Sequence, residues 1–278
     1  MYLRVFFLYF LCTHILTRVR IYYIITTQIL SKVQMFIFNL LRSEGSIADK
    51  LIVALAFILV ATFSIVIHEV AHGYVAKLNG DLTAKERGRL TLNPSAHLDV
   101  IGVAMMLLVG FGWAKPVPVN TNNFTNRKRG IFTVSIAGIS ANLIIAGICL
   151  LLYFLLYPVI IQAMYSAGTN AIVNVLLNFV YSLLVLGIQL NFMLAFFNIL
   201  PIYPLDGFNI INSFLPAGNG YQRFMVRYGS FLLIALILIG NIGNAFNIRW
   251  LNIFSLFGDL IAQMIDKVTI QSIMTFLV

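Results

Sequence analysis

Charged side chains are scarce in this chain, and their scarcity excludes an ordinary water-soluble domain. Only 10% of the 278 residues are Asp, Glu, Lys or Arg, whereas 60% are hydrophobic. Soluble globular domains carry roughly 25% charged residues, so this composition is typical of a polytopic membrane protein. Apolar runs of about 20 residues, long enough to span a bilayer, recur along the chain. The composition therefore predicts the lipid bilayer as a partner.

Cysteine and contiguous basic surface are lacking as well. Cys12 and Cys149 each lie in an apolar run, which excludes a readable disulfide framework and a zinc site built from cysteine. The formal net charge is +9, but Lys and Arg are scattered between apolar segments rather than gathered into a basic face with aromatic residues. This distribution excludes nucleic acid as a partner and is typical of the cytoplasmic flanks of membrane helices.

The fold predicted from the apolar runs is all-α and polytopic, with about five to six transmembrane helices. We expect membrane helices at about 51–78, 131–157, 172–200 and 228–247. The last stretch, 250–277, contains three charged residues and fits either an amphipathic or a spanning helix.

A different structure is expected near residues 80–120. Residues 101–113 are apolar but too few to span a bilayer, which favours a re-entrant or interfacial segment. The stretches "GRLTLNP" and "KPVPVN" alternate in a strand-like way, and the prolines suit an edge strand. We therefore predict a re-entrant or β-hairpin-like segment here, whose edge could pair with an extended peptide.

Two regions are distinguished by composition. Residues 1–46 are basic and apolar and are interpreted as a leader, as an extra helix, or as the product of a misassigned start with translation beginning at Met35. Residues 47–278 are predicted to form one membrane-embedded domain. Lys77, Lys85 and Arg87 follow the first strong helix and predict that its end lies in the cytoplasm.

The stretch "FSIVIHEVAHGYV" carries ionisable groups at the end of an apolar run. His68 and His72 are four residues apart, so both imidazoles lie on one face of a helix, with Glu69 beside the first. This H-E-x-x-H spacing is typical of zinc hydrolases, in which two histidines bind the metal and the glutamate is the general base. A buried pair of core histidines is the alternative interpretation. A charged group in lipid costs about 2.5 kcal/mol or more, and this cost favours the zinc-site interpretation.

A catalytic zinc needs a third protein ligand, and four residues are candidates: His97, Asp81, Asp99 and Asp206. Asp206 is favoured because it follows a helix that ends on the same side as the two histidines. The prolines and glycine of "NILPIYPLDG" must also unwind that helix. The alternative role for His97 is that of a structural hydrogen-bond partner.

Taken together, these motifs resemble the site-2 protease family of intramembrane zinc metalloproteases, in the core-only branch without PDZ or CBS domains. The resemblance covers about residues 47–260 and rests on the H-E-x-x-H motif and on Leu205-Asp206-Gly207. It also rests on "NPSAHLDVIG", "GWAKPVPVN" and "AGISANLIIAG". Phe208 departs from the pattern, because the family often has a second glycine there.

The resemblance implies a three-helix catalytic core with one zinc ion per chain, held by His68, His72 and Asp206, with Glu69 as base. The implied substrate is a transmembrane protein, cleaved within or near its membrane segment. Other implied site residues are Asn142, for oxyanion binding or helix packing, and Asn198 and Pro201, for substrate handling. The core-only branch also implies a bacterial inner (plasma) membrane, with the active site near the cytoplasmic side.

Two other classes of function were weighed against a protease. Intramembrane His, Glu and Asp also mark ion pathways, which would suit a multi-spanning metal-ion or proton transporter. However, the ionisable residues gather near one end of two helices, which favours a single fixed site. The third class, a non-catalytic membrane adaptor, is disfavoured because the candidate ligands and the base are all present.

Overall fold

The computed structural model describes residues 47–97, 99, 115–167, 170–246 and 248–277. Within these ranges the chain forms eight α-helices and no strand, which confirms the all-α prediction. The helices are α1 (Ile47–Leu78), α2 (Thr83–Glu86), α3 (Pro94–His97), α4 (Arg127–Ala167), α5 (Ala171–Ile199), α6 (Asp206–Phe214), α7 (Gly220–Ala245) and α8 (Ile253–Leu277).

Membrane-spanning length and composition are found in α1, α4, α5 and α7. The four candidate spans among the described residues are Ile47–Leu78, Arg127–Ile160, Ala171–Ile199 and Gly220–Gly240. They correspond to the four helices expected from the apolar runs. The further spans of the prediction fall on α8, which is not among these candidates, and on residues 1–46, which lie outside the described residues.

Helices α1, α4 and α5 pack against one another and form the core of the bundle. Between α1 and α5 the contact is apolar, with Ala56, Phe57 and Ala61 against Leu186 and Leu190. Small residues allow the backbones to approach closely, as is usual for helices in lipid. At Gly187 of α5, for example, a Cβ atom would lie only 2.6 Å from Sγ of Cys149 on α4.

The described part of residues 80–120 does not form the predicted β-hairpin. The "GRLTLNP" stretch forms turns and the start of α3, and residues 115–120 have no strand partner. Instead, the Lys115 N–H donates to the carbonyl oxygen of His97 (2.6 Å). Pro116 and Pro118 have no N–H to donate, and the N–H of Val117 between them donates to the Glu69 side chain instead of to a strand. The expected re-entrant segment, 101–113, lies outside the described residues.

The turn between α5 and α6 confirms the predicted unwinding near the aspartate. Helix α5 ends at Ile199, and α6 begins at Asp206. Gly207 is needed for this turn, because a Cβ atom there would overlap the carbonyl oxygens of Ile199 and Leu200. The turn therefore returns the chain tightly and presents Asp206 at the first position of α6.

Candidate metal centre

Helix α1 brings the two predicted histidines together. It is continuous through His68 and His72, so the rings lie one turn apart with their centroids separated by 4.6 Å. Their Nε2 atoms are 3.0 Å apart. The spacing in the sequence thus produces two imidazole nitrogens aimed at the same point.

Asp206 completes this group from the start of α6. The edges between Nε2 of His68, Nε2 of His72 and Oδ2 of Asp206 measure 3.0 Å, 3.4 Å and 3.4 Å. Tetrahedral zinc binds N and O ligands at about 2.0–2.2 Å, which separates neighbouring ligand atoms by about 3.3–3.6 Å. The two edges to Asp206 fall within this range and the edge between the histidines is slightly shorter, so the three atoms converge about as closely as three ligands of one zinc ion.

The hydrogen bonding around the triangle also fits a cation. Nδ1 of His72 lies 2.7 Å from the carbonyl oxygen of Val134. A carbonyl can only accept, so Nδ1 donates, and the lone pair of the neutral ring is at Nε2. Oδ2 of Asp206 is buried and has no hydrogen-bond partner. Converging, buried electron pairs of this kind are costly unless a positive charge lies between them.

Glu69 lies beside this group and is almost fully buried, with 2% of its surface exposed. Its Oε2 accepts a hydrogen bond of 2.9 Å from the backbone N–H of Val117. Gly73 makes this contact possible, because a Cβ atom there would lie 2.6 Å from Cγ1 of Val117. The sequence alone did not predict a role for Val117. Every residue type except proline has a backbone N–H, so the sequence does not identify this donor. The glycine directly after His72 does indicate that another segment packs closely against α1 at that point.

Helix α4 contributes Gly138 and Asn142 to the side of the group. A Cβ atom on Gly138 would lie 2.6 Å from ring atoms of both His68 and His72. Asn142 follows one turn later, so it lies on the same face of α4. It is fully buried, and neither its amide nitrogen nor its amide oxygen has a hydrogen-bond partner. A buried amide without a hydrogen-bond partner on this face of α4 is available to a bound group.

Asn198 and Pro201 lie near this region but outside the His–His–Asp group. The amide of Asn198 donates to the carbonyl oxygen of Leu194 in its own helix (3.0 Å). Pro201 lies in the exposed turn before α6, and its carbonyl oxygen accepts a hydrogen bond from the Tyr221 hydroxyl (2.7 Å).

The other third-ligand candidates are not part of the group. Among the described residues, one group of three could hold a metal ion: His68, His72 and Asp206. His97 is buried, and its Nε2 bonds to the carbonyl oxygen of Thr91 (2.7 Å), which matches its alternative structural role. Asp81 accepts hydrogen bonds from Thr83, Asn120 and Asn123 instead, and Asp99 is not in the group.

These features define an integral membrane protein with a buried His–His–Asp group and an adjacent glutamate. The sequence profile of "Peptidase family M50" matches residues 56–239. The chain belongs to this peptidase family, which is the site-2 protease family.

Two relatives support this assignment. A Bacillus subtilis (strain 168) protein named "Putative zinc metalloprotease YwhC" is 38% identical over 183 residues, covering 65% of this chain and 78% of the relative. A Methanocaldococcus jannaschii protein named "Zinc metalloprotease MJ0392" is 28% identical over 208 residues, covering 74% of this chain but 48% of the relative. No solved structure matched the chain.

Proposed function

We propose that this protein is an intramembrane zinc metalloprotease that hydrolyses peptide bonds within or near transmembrane segments of membrane proteins. The observation that carries the proposal is the triangle of His68, His72 and Asp206 with edges of 3.0–3.4 Å beside Glu69. Membership of a peptidase family and the names of the two relatives support it. Residues 47–278 are assigned to the catalytic unit, and residues 1–46 to a leader, an extra helix or a misassigned start.

In this proposal His68, His72 and Asp206 hold one zinc ion, which supplies Lewis acidity towards water and a peptide carbonyl. Glu69 is the general base: its carboxylate takes a proton from the attacking water and returns it to the leaving amine. Its place directly after His68 supports this role. The hydrogen bond from Val117 holds the carboxylate in one orientation before a substrate binds.

The substrate must lose helical structure before it can react. A transmembrane helix hides its carbonyl groups in its own hydrogen bonds, so the segment to be cut has to unwind at the site. The open amide of Asn142 could then donate to the oxygen on which negative charge develops. We assign substrate handling to Asn198, in the last turn of α5, and to Pro201, in the turn that presents Asp206.

The site is proposed to lie near the cytoplasmic side of a bacterial inner membrane. Lys77 lies in the last turn of α1, Lys85 and Arg87 follow that helix, and α4 begins with Arg127. Both helix ends are within a few turns of the histidines, and basic flanks favour the cytoplasm. Labelling of single cysteines placed at positions 86 and 170, in intact cells, tests this orientation. Reaction of position 86 from outside would contradict it.

The function is tested on the purified full-length chain in detergent, with a test substrate made of one tagged transmembrane helix. Wild type should bind about one zinc ion and cleave the substrate. Glu69→Gln should bind zinc but fail to cleave. Its matched control, Glu86→Gln, changes an exposed glutamate and should cleave normally. Asp206→Ala should lose zinc affinity, whereas Asp259→Ala, at an exposed position, should keep it.

Each arm also has a result that contradicts the proposal. Cleavage by Glu69→Gln at the wild-type rate would remove Glu69 as the base. Full zinc affinity in Asp206→Ala would show that another residue is the third zinc ligand. Zinc transport into proteoliposomes without cleavage would favour the transporter.

A further inference from the structure

A second buried carboxylate lies outside the candidate metal centre, just after α1. Asp81 has no exposed surface and accepts hydrogen bonds from the Thr83 N–H (3.1 Å) and the Thr83 hydroxyl. It also accepts from the Asn120 N–H (2.7 Å) and from Nδ2 of Asn123 (2.8 Å). All of these donors are neutral. The carboxylate thus ties the turn after α1 to a segment about forty residues further along the chain.

That segment is the one that contacts Glu69. Val117, whose N–H donates to Oε2 of Glu69 (2.9 Å), is three residues before Asn120, whose N–H donates to Oδ2 of Asp81 (2.7 Å). Pro116 and Pro118 lie on either side of Val117. Each proline fixes its own φ near −65° and confines the preceding residue to extended conformations. The segment is therefore stiff, and a shift at Asn120 is transmitted to Val117.

A further contact fixes the path of the segment along α1. The side chain of Val117 lies over Gly73, and Val117 is buried. Lys115 is held by the carbonyl oxygen of His97 (2.6 Å) and by the guanidinium of Arg89, which donates to the Lys115 carbonyl oxygen (2.6 Å). One end of the segment is thus held by backbone and arginine contacts, and the other end by Asp81.

We infer that Asp81 is a positioning residue for Glu69, which it orients through the backbone of residues 117–120. This inference rests on the proposed function, because it assigns Asp81 to the machinery of the same site. Loss of the Asp81–Asn120 bond releases the end of the segment. The Val117 N–H then no longer holds Oε2 in place, and the general base leaves its productive orientation. Substrate and metal binding do not depend on this bond.

The test compares Asp81→Asn with Asp259→Asn in the full-length chain in detergent. The asparagine keeps the size of Asp81 but places an NH₂ group against one of the donors. For Asp81→Asn we expect kcat for the tagged transmembrane test substrate to fall about tenfold, which is less than the roughly hundredfold loss that a 1 Å misplacement of a catalytic group can cause. KM and zinc content should stay at wild-type values. Amide hydrogen exchange of residues 115–120 should become faster. Asp259→Asn, at an exposed position, should change none of these.

A double-mutant cycle separates positioning from general stabilisation. Val117→Pro removes the N–H that Glu69 accepts, in a backbone already shaped by the neighbouring prolines. If Asp81 acts through that N–H, Asp81→Asn added to Val117→Pro should lower kcat no further. If Asp81 only stabilised the fold, the losses of kcat in the two single variants would add in the double variant. If Asp81→Asn does not accumulate as folded protein, Asn123→Ala removes one of the same hydrogen bonds and should show a smaller loss of kcat in the same direction.

Three results would overturn the inference: wild-type kcat in Asp81→Asn, a loss that lies in KM or zinc content alone, or additivity in the cycle. Failure of the proposed function is a different result, since wild type itself would then lack zinc or cleavage. Hydrogen exchange needs no activity. It would still report whether Asp81 holds the segment.

Discussion

Gly138 of α4 lies directly against the imidazole of His72, so that a Cβ atom on this glycine would come within 2.6 Å of the histidine Nε2. We predict that Gly138→Ala lowers zinc affinity about tenfold or more, because it displaces the ring of a proposed ligand. Gly147→Ala is the matched control, since a Cβ there meets no atom within 4 Å. Competition with a chelator measures both. Equal affinities in the two variants would contradict the close approach.

Zinc should stabilise the fold, because its proposed ligands come from α1 and from the start of α6. A ligand present at a hundred times its Kd stabilises the folded state by about 2.7 kcal/mol. We predict that adding zinc to chelator-treated wild type raises Tm and that the same addition leaves Tm of Asp206→Ala unchanged. A thermal melt followed by tryptophan fluorescence provides the measurement. A similar rise in both proteins would point to metal binding at another place.

Phe208 occupies a position where the family often has glycine, and the structure gives its ring a packing role. The ring is buried, with centroids 5.3 Å from Tyr203 and 5.7 Å from Tyr221. We predict that Phe208→Ala lowers the free energy of unfolding by about 3 kcal/mol, as is typical for removal of a core ring. Phe231→Ala, at a position 60% exposed, should cost far less. Unfolding in mixed micelles measures the difference.

The Asp81 carboxylate should make the stability of the folded protein depend on pH. Burial raises the pKa of the Asp81 carboxyl, but hydrogen bonds from Thr83, Asn120 and Asn123 outweigh it and lower the pKa below 3.8. Because the folded-state pKa is the lower one, the stabilisation is present above the unfolded value and is lost as pH falls through the folded value. The Tm difference between wild type and Asp81→Asn should thus be full at about pH 6 and shrink below about pH 4. A Tm difference between the two proteins that grows as the pH falls would contradict this prediction.

The metal group itself was predictable from residue types and spacing. His68 and His72 share a helix face because they are four residues apart. Asp206 was favoured because it follows a helix that is predicted to end on the same side of the membrane as the two histidines, and because prolines and a glycine must unwind that helix. The structure brings all three residues together. The histidine pair follows from local spacing, whereas Asp206 follows from the order and orientation of the predicted membrane helices.

The parts that were missed depend on contacts between distant segments. The hydrogen bond from Val117 to Glu69 joins residues 48 apart through a backbone N–H, and any residue type other than proline supplies that donor. The same limit explains why the predicted β-hairpin does not form among the described residues. Alternation in "KPVPVN" is a local pattern, whereas the N–H groups that could form a ladder bond to α1, α3 and Asp81 instead.

The division of the His–His–Asp group between two parts of the chain has a mechanical consequence. His68 and His72 belong to one rigid helix, whereas Asp206 belongs to the short helix that follows α5. Separation of α1 from α6 by even a few ångströms would pull the carboxylate away from both imidazoles. If these three residues hold one zinc ion as proposed, α1 and the start of α6 must move together as one unit while the metal is bound.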